Sequence, residues 1–522
     1  MDLSLTRLRL IATQVERREA WLVGGLVLLA FVQCLELTKR QLSFDELFTF
    51  YIARLDSLEA ILRAVPADGN PPLYYLLARL GLMLTSNIEL AVRFPSILAF
   101  TGALLATWAF VRHRCGAIAA LFALFVLSSA VMKFYAAEAR PYAMLLAFTA
   151  LALVGWQRAA ERSSRRLLPL TLMMCAIAGA IASHHYGVLH IGIPLATGEA
   201  TRSAQNRRFD WQLIGACTFG AFMLVVTAPL ICQTNRILLD QVREMPGFVH
   251  KPGLDSFASY ALMADPRLLV AFAALCILGF LIVRPPVPEA QRARIPLYEV
   301  SAAAALALLV PIMIGVAWLA TGYYQARYAI GASIGIAILL GFAAATVGGR
   351  KRIGILAAIC TMVMLGLLWT STWSYRAISG TANAPEMLTG AKPDSILATA
   401  PAGEPVVVGS PNVYMRTWWY MPSSSRGKIH YLADLSAAVR HGNPLAELSL
   451  VTNQPFVPSK VERYEDFIST NRRFLLYCQG IDRQCEAGDD WIKHRLLAEG
   501  WSVKKIARQD DETLYEVERS KD

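Results

Sequence analysis

About eleven long apolar stretches, separated by short arginine-containing loops, divide most of this 522-residue chain. A helix needs roughly 17 to 25 apolar residues to cross a bilayer, and most of the stretches approach that length. Few folds fit such a pattern, because backbone in hydrocarbon must satisfy its own hydrogen bonds. The stretches lie near residues 20–38, 90–111, 116–132, 141–157, 167–183, 186–199, 211–232, 267–283, 298–320, 328–347 and 353–371.

The composition agrees with a polytopic α-helical membrane protein, since 55% of the residues are hydrophobic and 17% are charged. The formal net charge of +11 does not indicate nucleic-acid binding, because Lys and Arg sit in clusters between apolar runs, as in membrane loops. We therefore expect a lipid bilayer and no nucleic acid among the partners. The first apolar run follows a basic leader and lacks a small-residue cleavage site, which predicts a retained first span.

The arginine clusters predict the orientation. If the N-terminus is cytoplasmic, every second loop lies on the cytoplasmic side, and these are the loops that contain the arginine clusters, as the positive-inside rule requires. We expect a multi-pass protein of the cell (inner) membrane, with everything after about residue 372 outside. The clusters contain Arg112 and Arg114; Arg158, Arg162, Arg165 and Arg166; Arg202, Arg207 and Arg208; Arg284, Arg292 and Arg294; and Arg350, Lys351 and Arg352.

Five unusual segments then fall on the outer face. Charge near hydrocarbon is costly, so acids and arginines that share one face favour a functional site at the membrane surface. The first outer loop, about 39–89, is long and includes "PPLYYLLARLGLML", which predicts a helix lying at the interface. The five segments are "SFDEL" (43–47), "DGNPPLYY" (68–75), "EARPY" (138–142), "SHHYG" (183–187) and "YYQARY" (323–328).

Three of these motifs carry a family resemblance. The acidic pair Asp45 and Glu46 after the first span, then "NPPLYYLLARL", then "AAEARPYAMLL" resemble the GT-C membrane glycosyltransferases. The similar branch contains dolichyl-phosphate-mannose protein mannosyltransferases, aminoarabinose transferases of lipid A and RgtA/B/C/D-like transferases. The resemblance covers roughly residues 20–370 and implies a polyprenyl-phosphate sugar donor and Asp45 as general base. We expect the transmembrane glycosyltransferase domain to span 1–384. The family often has His before the Pro pair, where this chain has Asn70.

The chemistry of a lipid-linked donor suits the arginines. No nucleotide sugar is available outside the membrane, and a polyprenyl monophosphate departs more readily when a cation stabilises it. Arg pairs with two phosphate oxygens and stays charged, so Arg140 and Arg327 are the predicted phosphate-binding residues. A single base with direct displacement would invert the anomeric configuration. The acceptor is a hydroxyl or amine on a glycan, lipid or protein.

Several assignments stay open. Glu46 is a candidate to hold the acceptor or a divalent cation, or else a helix N-terminal charge. Asp68 is either a second catalytic carboxylate or part of an Asp-Gly turn. Glu138 and Arg140 either serve the site or simply pair with each other, and the tyrosines near 324 also suit an interfacial belt. The predicted cavity residues are Asn70, Tyr74, Glu138, Tyr142, His184, His185 and Tyr324.

Beyond about residue 385 the apolar runs shorten to strand length, which predicts an exoplasmic α/β domain over 385–522. Cys478 and Cys485 flank a turn-like segment on the oxidising side of the membrane, so we expect a disulfide between them. A transporter or flippase is the alternative function, because it would also be polytopic. It should show internal repeats, and we find none.

Overall fold

A computed structural model gives the architecture of the protein. It describes residues 2–129, 133–161, 165–229, 252–282, 295–322, 324–346, 355–366, 396–401, 403–441, 444–479, 491–509 and 512–519.

Helices make up nearly all of the described chain before residue 367. They are α1 (Asp2–Leu37), α2 (Phe44–Ala53), α3 (Leu58–Asp68), α4 (Leu73–Leu84), α5 (Ile88–Cys115), α6 (Ala117–Ser129), α7 (Lys133–Ala136), α8 (Tyr142–Glu161), α9 (Leu167–Ser183), α10 (Gly187–Asn206), α11 (Trp211–Ala221), α12 (Tyr260–Met263), α13 (Pro266–Ile282), α14 (Leu297–Ala307), α15 (Leu309–Val316), α16 (Ala332–Thr346) and α17 (Ile355–Gly366).

Within these ranges, four helical segments are long and apolar enough to cross a membrane, or six if each of two bent pairs is one span. Five shorter apolar helices accompany them. The predicted stretch 298–320 is one of the bent pairs, with 49° between its two helices. The protein is thus a mostly helical membrane protein, while the total of eleven spans stays a prediction. The four long segments are Arg18–Leu37, Ile88–Cys115, Tyr142–Glu161 and Trp211–Pro229.

Small residues let the membrane helices pack closely. The helix α5 packs against α8, α8 against α9, and α14 against α10 and α16. A methyl group at Gly335 in α16 would collide with the backbone of Ala303 and Ala307 in α14. Close backbone approach of this kind is how helices gain van der Waals contact in lipid, where apolar burial adds little.

The helices α2, α3 and α4 form the long loop between α1 and α5, and their ends carry the first two motifs. A capping box begins α2, because Ser43 accepts from the Glu46 amide and the Glu46 carboxylate accepts from the Ser43 amide. The helix α3 ends at Asp68, and the left-handed Gly69 (φ 83°) follows it. The helix predicted after the Pro pair is present as α4.

The described residues after 395 form a six-stranded sheet flanked by helices, with the strand order β3-β2-β1-β4-β6-β5. The strands β3, β2, β1 and β4 are parallel neighbours, whereas β4, β6 and β5 pair antiparallel. The strands β1 and β4 lie at the strand-length apolar runs "EPVVVGS" (404–410) and "RFLLYC" (473–478), and β4 extends one residue beyond the second run. The bounds are β1 (Val406–Val408), β2 (Ile429–Ala433), β3 (Val461–Arg463), β4 (Arg473–Gln479), β5 (Trp501–Gln509) and β6 (Glu512–Arg519).

Helices accompany the sheet. The segment "NVYMRTWWY" lies in the first of them, where Val413, Tyr414 and Met415 are buried. Cys478 in β4 is disulfide-bonded. The expected partner Cys485 and the predicted domain boundary near 385 lie outside the described residues. The helices are α18 (Pro411–Tyr420), α19 (Ser423–Arg426), α20 (Leu435–His441), α21 (Pro444–Asn453), α22 (Tyr464–Thr470) and α23 (Trp491–Ala498).

Candidate active site

The structure brings the five predicted segments together. The first and fifth meet where Arg327 Nη1 lies 3.5 Å from Asp45 Oδ2. The second and third meet in an ion pair of 2.5 Å between Asp68 Oδ2 and Arg140 Nη1. The fourth joins them through the rings of His184 and Tyr142, whose centroids are 5.6 Å apart. Segments far apart in sequence thus build one charged site.

Asp45 lies in the first turn of α2 and is the most accessible carboxylate of the site. About a third (31%) of its side chain is exposed, compared with 6% for Asp68 and none for Glu46. Its contact with Arg327 is long for a hydrogen bond, so no short ion pair holds the carboxylate in place. Asp45 can therefore receive a proton from a molecule that enters the site.

Asp68 and Arg140 form a buried and well-tied pair. Asp68 Oδ2 also accepts a hydrogen bond of 2.5 Å from the Tyr75 hydroxyl. Arg140 Nη1 reaches back to the Asp45 carbonyl oxygen at 3.4 Å. Burial opposes the charge of Arg140, but the carboxylates of Asp68 and Asp45 hold its pKa well above the ordinary value. The guanidinium is therefore a permanent cation beside Asp45.

Arg327 follows the break after α15, in a short 3₁₀ turn that spans Ala326–Ala329. Its Cζ lies 5.6 Å from the centroid of the Tyr142 ring, and 22% of its side chain is exposed. The Nε atoms of Arg327 and Arg140 are buried and lack hydrogen-bond partners among the described residues. Buried donors are rarely left unpaired, so both arginines have capacity for an anionic ligand.

Glu46 points away from the accessible part of the site. Its two carboxylate oxygens accept from Arg93 Nε at 2.6 Å and from Arg93 Nη2 at 2.7 Å. Oε1 also accepts from the Ala139 amide at 2.8 Å. Burial opposes ionisation, but the charge and hydrogen bonds of Arg93 lower the pKa of Glu46 to about 2. Glu46 is therefore a buried anion that ties α2 to the "EARPY" loop.

Arg93 was not identified from sequence. It is fully buried in α5 and also donates to the carbonyl oxygens of Thr38, Arg40 and Gln41 at 2.7 to 3.0 Å. A signal for it exists in the sequence, because an arginine inside an apolar helix requires a partner. With Glu46, it fixes the chain on both sides of Asp45.

Glu138 is buried in the same region, and its Oε2 has no hydrogen-bond partner within the described ranges. Burial, and then the negative charges of Glu46 and Asp45, raise the pKa of Glu138 to about 7, although Arg327 opposes them. Its backbone oxygen accepts from the Ser96 hydroxyl at 2.7 Å. Glu138 does not pair with Arg140 in the structure, so its carboxyl is available to a ligand.

Tyr74, Asn70 and Tyr324 are three more of the predicted cavity residues. Tyr74 is structural, because its hydroxyl donates to the Val92 carbonyl oxygen at 2.8 Å and lies equally close to Ser96 Oγ. Asn70 is buried beside Tyr75. Tyr324 packs against the core of the membrane helices.

The two histidines border the site. His185 Nε2 lies 2.5 Å from the Gly69 carbonyl oxygen, and its buried Nδ1 has no partner in the described part of the chain. His184 packs against Tyr142 and stacks on Tyr186. Burial, and then the neighbouring His185, lower the pKa of His184 well below its ordinary value. Both side chains thus belong to the lining of the site.

The site residues do not fit a divalent cation. The described residues hold no group of three or more His, Cys, Asp and Glu side chains placed to bind a metal ion. Arginines are the counter-charges of Asp45, Glu46 and Asp68. We therefore assign no step to a metal.

A family comparison agrees with the motifs. Residues 69–232 match the sequence profile of the dolichyl-phosphate-mannose-protein mannosyltransferase family. This match confirms the resemblance to GT-C membrane glycosyltransferases, over just under a third of the chain. No curated protein shows a sequence match.

Solved structures with distant likeness include two of ArnT from Cupriavidus metallidurans. The apo form is 15% identical with a TM-score of 0.41, and the alignment spans 94% of this chain and 98% of that one. The form bound to undecaprenyl phosphate is 13% identical with a TM-score of 0.41, over 95% and 97%. The Archaeoglobus fulgidus oligosaccharyltransferase tethered with an acceptor peptide is 11% identical with a TM-score of 0.41, over 98% and 75%. These likenesses are too distant to assign a substrate.

Proposed function

We propose that the protein is an integral membrane glycosyltransferase that moves a sugar from a polyprenyl-phosphate donor to a hydroxyl or amine acceptor. The observation that carries the proposal is an accessible carboxylate that pairs with one cation and lies beside a second. Asp45 Oδ2 lies 3.5 Å from Arg327 Nη1, and Arg140 Nη1 lies 3.4 Å from the Asp45 carbonyl oxygen. The Nε of each arginine has no hydrogen-bond partner among the described residues. The profile match to mannosyltransferases supports the same reaction class.

Asp45 is the proposed general base. The acceptor oxygen or nitrogen attacks the anomeric carbon while the bond from that carbon to the phosphate oxygen breaks. The acceptor proton passes to Asp45, and the polyprenyl phosphate leaves with the electron pair. A positioned base contributes typically ~10²–10⁴-fold, and displacement in one step inverts the anomeric centre.

Arg327 is the better placed of the two arginines to hold the leaving phosphate. Its side chain is 22% exposed, whereas that of Arg140 is 8% exposed and already paired with Asp68. Cations aimed at the place where charge develops stabilise the transition state more than the ground state. We assign donor binding mainly to Arg327, and to Arg140 the pairing with Asp68 and a positive charge beside Asp45.

The proposed location of the site is the exoplasmic surface of the inner membrane, with the N-terminus in the cytoplasm. The donor then reaches the site from within the bilayer, and no nucleotide is required. The sheet region after residue 395 lies on the same side. The arginine-rich loops support this orientation.

A transfer assay with the Asp45→Asn variant tests the function. Purified protein in proteoliposomes receives a labelled polyprenyl-phosphate sugar and a mixture of envelope acceptors, and the labelled glycosidic product is measured. We expect transfer by the natural protein and a loss of about 10²–10⁴-fold in kcat for the variant. Movement of label across the bilayer without a new glycosidic bond would instead indicate a flippase. Near-normal turnover by Asp45→Asn would reject Asp45 as the base.

A further inference from the structure

The sheet region packs on the helices that carry the site carboxylates. We call residues 396–519 the C-terminal region. Its helix α18 contacts α2, and its helix α21 contacts α3. Phe44 and Phe48 of α2 share one apolar cluster with Trp418 and Met421 of the C-terminal region. The contact is therefore a packed interface, and two polar side chains of the region reach through it.

Tyr420, at the end of α18, is the first of these side chains. Its hydroxyl accepts from the Leu42 amide at 2.7 Å and lies 2.8 Å from Glu89 Oε1, to which it donates. Leu42 directly follows Gln41, whose carbonyl oxygen binds Arg93. Glu89 lies one helical turn before Arg93 in α5. Tyr420 thus joins the same two chain segments that Arg93 joins. It binds the first of them at Leu42, three residues before Asp45.

Asn453, at the end of α21, is the second polar side chain that reaches through the interface. Its side chain is fully buried, and Nδ2 donates to the Ala67 carbonyl oxygen at 3.1 Å. Ala67 directly precedes Asp68, in the last turn of α3. The final carbonyl groups of a helix have no partner within the helix, so a donor from elsewhere fixes that end. Asn453 therefore fixes the helix end that presents Asp68 to Arg140.

We infer that the C-terminal region is a positioning element of the active site, which acts through Tyr420 and Asn453. The inference rests on the proposed function and adds a role for this region. Each residue binds backbone beside one site carboxylate, and neither side chain is among the site groups that would contact the substrate. Groups that react must be held closely in place, since a shift of about 1 Å can cost ~10²-fold in rate. The region thereby holds the backbone beside Asp45 and Asp68, which both contact Arg140 Nη1.

Kinetics of Tyr420→Phe and Asn453→Ala test the inference. Each change removes two hydrogen bonds, one of which binds the backbone beside a site carboxylate, so we expect kcat to fall about 2- to 10-fold. The donor KM should stay within about 2-fold, because Arg327 is untouched. Tyr414→Phe is the matched control, since the Tyr414 hydroxyl donates to the Lys460 carbonyl oxygen inside the C-terminal region at 2.6 Å. The control should keep the natural kcat.

Hydrogen exchange supplies a readout that does not depend on turnover. Amides of residues 38–47 should exchange faster in Tyr420→Phe, and amides of residues 66–70 faster in Asn453→Ala, with neither change in Tyr414→Phe. Natural exchange in both segments together with natural kcat would overturn the inference. Failure of the proposed function is distinguishable, because it appears as absent glycosyl transfer by the natural protein.

Discussion

Arg93 and Glu46 form a two-point ion pair, fully buried, between the helix α5 and the long loop that precedes it. Removing one member of such a pair leaves an uncompensated buried charge, which costs about 3–5 kcal/mol. We predict that Arg93→Met destabilises the protein by that amount and abolishes activity, because the chain on either side of Asp45 loses its anchor. Thermal unfolding in detergent measures the first effect, and the transfer assay the second.

The control for this prediction is an exposed ion pair of the same loop. Arg63 and Glu59 lie 3.5 Å apart with 71% and 79% of their side chains exposed. Exposed pairs of this kind contribute little. We expect Arg63→Met to leave stability and transfer unchanged, and equal effects of the two substitutions would contradict the role given to Arg93.

The position of Arg93 shows where sequence reasoning reaches its limit. Asp45, Asp68 and Arg140 stand in polar motifs at the ends of apolar runs, so local pattern and membrane topology suffice to place them on one face. Arg93 is a single charge within "AVRFPSIL", and its partners lie 47 to 55 residues earlier. The sequence indicates that such an arginine needs a partner, but only the packed structure identifies Glu46.

Two further features were not predicted from the sequence. Tyr420 and Asn453 bind backbone groups, and every residue offers a backbone group, so no pattern reveals which one is chosen. The bend of 49° between α14 and α15 does have a sequence signal, which is Pro311 in the first turn of α15. Proline has no amide hydrogen to donate to the carbonyl oxygen of Ala307, where α14 ends, so the helix breaks there.

Substitution by lysine should have different effects at Arg327 and at Arg140. Arg327→Lys keeps the charge but removes the planar fork and the Nε donor, which is unpaired among the described residues, so donor binding should weaken. A hydrogen bond to a charged group is worth about 1.5–3 kcal/mol, which corresponds to a rise of about 10- to 100-fold in the donor KM. Arg140→Lys should lower kcat more than it changes the donor KM, because Arg140 chiefly pairs with Asp68. Titration of the lipid donor in the transfer assay separates the two effects.

Glu138 should make stability depend on pH near neutrality. Burial and two negative neighbours raise its pKa from about 4.5 to about 7, so the folded protein holds this proton more tightly than the unfolded chain does. The contribution of Glu138 to the free energy of unfolding is fully present below pH 4.5 and is lost as the pH rises through 7. One pKa unit corresponds to about 1.4 kcal/mol, so the loss is about 2–4 kcal/mol.

The Glu138→Gln variant isolates this effect because it keeps the shape and never ionises. We expect its Tm to exceed that of the natural protein at pH 8 and to approach it at pH 4.5. Scanning calorimetry in detergent between those values gives the difference at each pH. A difference that does not vary with pH would mean that Glu138 does not titrate in this range.

Thiol labelling tests the orientation of the whole site. Asn206, the last residue of α10, lies at an arginine-rich loop predicted to be cytoplasmic, and Ser424 in α19 lies in the C-terminal region. Both are exposed, so a cysteine at either position is accessible from its own side of the membrane. The exposed free cysteines Cys175 and Cys360 are first replaced by alanine.

In intact cells, with the outer membrane permeabilised, an impermeant maleimide should modify Ser424→Cys and spare Asn206→Cys. Disrupting the inner membrane should then expose Asn206→Cys, which shows that its thiol is reactive. The reverse pattern would place Asp45 and the arginines in the cytoplasm, where nucleotide sugars are available, and the reason for a lipid-linked donor would be lost.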